Sequence, residues 1–140
     1  MVQLTRAILQ RLAEEKAADA ELLFANRRWS NAYYLFGYAV EIGLKAVAAR
    51  RFQQDTIPDR RLVNALYTHK LKELAEIAGL ADALQAERER DRVFDAHWIA
   101  VLGWSEEARY DTNHEDEARA LRNAVTSPDH GVMRWLRQYW

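Results

Sequence analysis

One stretch limits most of what this chain can become: Trp29 to Phe52, within RWSNAYYLFGYAVEIGLKAVAARRF. Trp29, Tyr33, Phe36, Val40, Leu44 and Val47 recur at spacings of three and four, the period of one face of a helix. Ala32, Leu35, Ala39, Ile42 and Ala46 fill the adjoining stripe. A helix apolar around most of its circumference belongs inside a bundle, with other helices packed against it. Gly37, Gly43 and the alanines allow those neighbours to come close. Two charges interrupt the rod, Glu41 and Lys45. They are four apart, so they share a face, and Glu before Lys is the better order for pairing. The plain reading is an ion pair at a solvent gap. A functional reading needs further groups beside it.

The rest of the composition agrees with a helical class. Ala, Leu, Glu and Arg dominate, β-branched residues are few, and only 5 glycines and 2 prolines punctuate 140 residues. That length is one domain with enough apolar content for a core. A net charge of -1 argues against a strongly electrostatic nucleic-acid binder, though not against a local basic patch. There is no cysteine, which excludes disulfides and thiolate zinc sites and fits a reducing cytoplasm. No apolar run approaches the ~20 residues of a membrane span. The first 23 residues, MVQLTRAILQRLAEEKAADAELL, mix charges throughout and do not read as a signal peptide.

Along the chain, Leu4 to Ala25 reads as a first helix, joined by Asn26–Arg28 to the central one, with Ser30 as its N-cap. So short a link makes the two antiparallel neighbours. QQDTIPDRRL is loop, and Leu62 to Tyr67 a brief helical turn. A short helix follows Thr68 or His69 and closes at Gly79. Leu80 to about Trp104 reads as one helix, polar first and apolar later. Ser105 to Asn113 is a polar link. Thr112 and Glu115 suggest a capping box opening a helix near His114 that runs to Val125. Ser127-Pro128 reads as the start of a last helix.

Several of these pieces resemble the HEPN family, the higher eukaryote and prokaryote nucleotide-binding domains. Arg28-Trp29, Ala32-Tyr33-Tyr34-Leu35, Gly37-Tyr38-Ala39-Val40-Glu41 and Leu44-Lys45-Ala46 look like its second helix. His69-Lys70-Leu71 with Leu74 is similar to its short "His-Asp-Leu … Leu" helix, with Lys70 in place of the acid. Trp98, Trp104 and Ser105, then Arg109-Tyr110, resemble the stretch that follows. The resemblance covers about residues 15 to 125. It implies an all-α, up-and-down helical bundle with four main helices plus short extra ones. It also implies a homodimer and, in prokaryotes, a nucleotidyltransferase-type partner protein. Neither cofactor nor metal is expected.

Many members of that family are metal-independent ribonucleases with Arg, four to six residues, then His. Arg109 and His114 fit that spacing and are the candidate catalytic pair. An imidazole moves protons near neutrality, and a guanidinium binds phosphate. The spacing alone says little, because Arg92 and Arg90 stand in the same relation to His97. Only the position of Arg109 and His114 in the polar link favours them. Glu115, Asp116 and Glu117 follow at once and read equally well as helix N-terminal charge.

The candidate ligand-binding residues are Glu41, Lys45, Tyr38 and Tyr110. Tyr34, Tyr38, Glu41 and Lys45 share the most polar stripe of the central helix, fit for stacking on a base or for a dimer interface. Glu41 is expected to contact Arg109. His69 reads as orienting its short helix, His97 as a rim histidine, and His130 as exposed. Three functions stay open. One is a module binding a partner protein or a nucleotide- or RNA-type ligand, with weak or no catalysis. The others are a toxin-like endoribonuclease and a structural dimerisation module.

Overall fold

The computed structural model describes residues 3–140, and every regular element among them is helical. Helix α1 (Arg6–Ala25) is followed by α2 (Trp29–Ala48), α3 (Arg60–Ala65), α4 (Leu71–Ile77), α5 (Ala81–Arg90), α6 (Arg92–Leu102), α7 (Glu115–Thr126) and α8 (Val132–Leu136). Single 3-10 turns cover Ala49–Arg51 and Glu106–Tyr110. No helix among the described residues is long and apolar enough to cross a membrane.

The periodicity of α2 translates directly into position. Helices α1, α4, α7 and α8 and the 106–110 turn all pack on it. Phe36, Val40, Leu44 and Val47 are buried, as are Ala32, Ala39, Ile42 and Ala46. Gly37 has a specific reason: a Cβ there would overlap the Trp104 indole ring, which lies directly on the helix backbone. Burial of the large apolar side chains, worth roughly 1.5–3 kcal/mol each, is the main force holding the bundle around α2.

Thr5 starts α1, its Oγ1 accepting from Ile8 N–H at 3.2 Å, so the helix begins just after Leu4. It ends in a six-to-one turn, Arg28 N–H to Leu23 O at 2.8 Å, with Arg27 at φ 61°. Helix α4 ends the same way, Leu80 N–H to Ala75 O at 2.9 Å, but with Gly79 at φ 77° in the left-handed position.

Four sequence expectations need correction. Ser30 does not cap α2, which has already begun at Trp29. Its hydroxyl instead accepts from Asn113 N–H at 2.8 Å and ties the polar link to α2. The helix expected over Leu80–Trp104 is broken at Asp91, which leaves helical geometry (φ -129°, ψ 103°). Asp91 caps α6 instead, its Oδ1 accepting from Val93 N–H at 3.0 Å and Phe94 N–H at 3.1 Å. The capping box before α7 joins His114 and Glu117 rather than Thr112 and Glu115, with His114 N–H donating to Glu117 Oε1 at 3.3 Å. Finally, Ser127 closes a single turn over 127–130, and α8 begins only after Gly131.

Candidate functional site

The Tyr34–Tyr38–Glu41–Lys45 stripe of α2 is where chemistry gathers. Glu41 is 1% exposed, one of two buried polar or charged residues among those described. A buried carboxylate must be paired and hydrogen-bonded to be tolerated. Its Oε1 takes His69 Nδ1 at 2.9 Å and its Oε2 takes Lys45 Nζ at 3.4 Å. His69 comes from the link before α4, so Glu41 stitches that link onto the central helix. His69 turns Nδ1 to the carboxylate, which leaves Nε2 facing away from it. The His69 side chain is 47% exposed.

The expected Glu41–Arg109 contact is absent: among the described residues Glu41 bonds only His69 and Lys45. The reason is that Arg109, in the 106–110 turn, is taken up by aromatic rings. Its guanidinium lies over the Tyr110 ring, 4.8 Å from the centroid. Contact with the Tyr110 phenol, and after it with the Tyr34 phenol, raises the Arg109 pKa above its ordinary value. Tyr34 in turn packs edge-on against Tyr38, centroids 5.6 Å apart, and stacks with Trp104 at 6.0 Å. The Trp104 indole N–H donates to Tyr34 O at 3.2 Å. Burial first, and then the Glu41 and Tyr34 charges, push the Tyr38 phenol up. Glu41, Tyr38, Tyr34 and Arg109 thus form one continuous row.

His114 is anchored elsewhere. It sits exposed at the start of α7, bonded to Glu117 through its backbone. The side-chain hydrogen bond from Asn113 and then the His114 N–H hold the Glu117 carboxyl below the ordinary value. Asn113 is fastened to Ser30, and burial first, then the Glu117 charge, pushes the Tyr33 phenol up. Arg109 is held against Tyr110 and Tyr34, whereas His114 is held in the capping box of α7, and no hydrogen bond joins them. Asn113, 9% exposed, is a positioning residue that sequence reasoning missed. An Asn beside a capping-box Glu was the available signal.

Two hollows flank the Glu41 cluster. One, of about 230 Å³, is mostly apolar; Leu9, Ala49, Phe52, Val63 and Leu66 line it, with Lys45 at its wall. The other, also about 230 Å³, lies between the His69–Lys72 segment and the Leu102–Glu106 segment. Among the described residues, His, Asp and Glu side chains do not gather in any group of three or more fit to hold a metal ion. No family model, curated protein or solved structure matches this chain.

Proposed function

We propose that this protein is a HEPN-like helical module whose α2 face binds a nucleotide- or RNA-type ligand, with weak or no catalysis. The observation that carries the reading is Glu41: a buried carboxylate holding an exposed imidazole and a lysine, beside a row of tyrosines ending in Arg109. Burying a carboxylate costs several kcal/mol before pairing, and an apolar residue in its place would often be no worse for stability. Its presence on the one central helix is better explained by the groups it holds at the surface. Those groups suit an anionic ligand with an aromatic part: cations for the charge, Tyr38 and Tyr110 for the ring. Tyr110 is 78% exposed and available. The residues concerned are also those on which the family resemblance rests. A homodimer and a nucleotidyltransferase-type partner, which that resemblance implies, belong to the same proposal.

Titration calorimetry with 5′-AMP, ATP and a short single-stranded RNA tests it. Binding that weakens in Lys45→Ala and Tyr38→Ala is expected. If none of the three ligands binds, the reading falls. The ribonuclease alternative is settled by RNA cleavage in EDTA with wild type and His114→Ala. The separate anchoring of Arg109 and His114 predicts no cleavage that depends on His114.

A further inference from the structure

Among the described residues His69 has a partner for one ring nitrogen and none for the other, and it lines a hollow with two lysines. We propose that His69, Lys70 and Lys72, with Ser105 across the cleft, form a binding site for a tetrahedral oxyanion such as a phosphate group, and that Glu41 positions His69 for it. The proposal rests on the ligand-binding reading and names the part of the ligand recognised.

The hollow holds about 230 Å³, and His69, Lys70, Lys72, Trp104, Ser105 and Glu106 are among its lining residues. That space is ample for a phosphate group with its first waters. Glu41 does two things for it. It fixes the ring, so that Nε2 is not free to swing between orientations. Its own charge is answered inside the protein by Lys45 at 3.4 Å, so less of its field reaches the hollow. Among the described residues His69 Nε2 and Lys72 Nζ have no protein hydrogen-bond partner, whereas Lys70 Nζ lies 3.5 Å from Glu73 Oε1 in an exposed pair. Ser105 offers a hydroxyl donor. Charge-assisted hydrogen bonds from such groups are the stronger kind for an oxyanion.

Other charged or titratable groups face His69 or its hollow. From α2 it is Glu41, whose other oxygen holds Lys45. From α4 they are Lys72 and Glu73, with Lys70 just before it. From the 106–110 turn it is Glu106. Among the described residues Glu106 is the one carboxylate on the hollow itself, and it opposes an anion. Its removal therefore strengthens binding, a result that a chance cluster of cations elsewhere on the surface would not give.

Calorimetry with sodium sulfate tests the site, because sulfate keeps its charge while a phosphate ester titrates near pH 6. Binding is expected, and each cation of the site contributes up to about fivefold in affinity, the size of one exposed charge interaction. In Glu106→Gln it tightens, and in Lys72→Ala and His69→Gln it weakens. Should His69→Gln unfold, imidazole nitrogen NMR of the wild type gives the same answer: sulfate shifts His69 Nε2 more than Nδ1. Inorganic phosphate and 5′-AMP in parallel tell a free anion from a nucleotide phosphate. Sulfate or phosphate that leaves the His69 resonances unmoved, while 5′-AMP binding depends on Tyr38 and Lys45, overturns the oxyanion site and spares the ligand-binding reading. No binding of any probe overturns both.

Discussion

The Glu41 carboxylate receives His69 Nδ1 at 2.9 Å across 28 residues of chain, joining the centre of the longest buried helix to the link that precedes α4. Truncating His69 to Ala removes that bond and leaves one oxygen of a buried carboxylate without its partner. A lost partner on a buried polar group costs about 1–3 kcal/mol. Urea unfolding of His69→Ala is expected to show a loss in that range. Glu41→Gln, which keeps the shape and one acceptor for His69, should lose less than Glu41→Ala, which also opens a cavity. A stability of His69→Ala within about 0.5 kcal/mol of wild type, the scatter of surface substitutions, would mean that the pair does not hold the link down.

Two helix ends provide a matched comparison. Arg27 and Gly79 occupy the same left-handed position in the same six-to-one turn, at φ 61° and 77°. A side chain in that region is strained, and glycine is not. Arg27→Gly is therefore expected to stabilise the protein, by up to about 1 kcal/mol after the entropy glycine gives the unfolded chain. Gly79→Ala is expected to cost about 1 kcal/mol, and the cost is backbone strain alone, because nothing among the described residues lies within 4 Å of a Cβ there. Opposite signs for the two substitutions in thermal melts are the check.

These two turns also show what the sequence made legible. The end of α4 was marked by Gly79 in the expected place, while the end of α1 used Arg27, which carries no such mark. Apolar spacing identified α2 and its buried face because period and burial have the same cause. It could not find the break at Asp91, since a polar helix running into an apolar one has no interruption in its pattern. The signal there is tertiary: Asp91 is held by His130, 39 residues away. The candidate site divides in the same way. Glu41, Lys45 and Tyr38 were visible as polar positions on an apolar rod. His69 was not, because spacing within one helix carries no information about what another segment brings to it.

Gly37 is a test of packing rather than backbone freedom. The Trp104 ring covers its Cα so closely that even a methyl group would overlap the indole. Trp104 is itself buried, stacked on Tyr34 and bonded to its carbonyl, so it cannot easily give way. Overpacking of this kind costs about 1–3 kcal/mol, enough to outweigh the better helix propensity of alanine. Gly37→Ala is expected to lower stability and to disturb Trp104 fluorescence and the Tyr34–Arg109 contact together. A stabilised variant would show that the ring can move aside.

Asp91 sets an acid limit on the fold. Its Oδ1 caps α6, and its Oδ2 takes His130 Nδ1 at 2.6 Å. The His130 hydrogen bond holds the carboxyl below its ordinary 3.8, against an opposing effect of burial, and the Phe94 and Val93 N–H groups help. A carboxyl whose pKa is depressed on folding contributes stability that is fully present above its unfolded pKa. That contribution is lost as pH falls through the folded value. Asp91→Asn keeps a cap-competent side chain but has no charge to lose. The melting temperature of the wild type should therefore exceed that of Asp91→Asn at pH 6, and the difference should shrink as pH drops below about 4, the ordinary value for a free Asp carboxyl. A difference that stays constant from pH 6 to pH 3 would show that the ionised carboxylate is not what His130 holds.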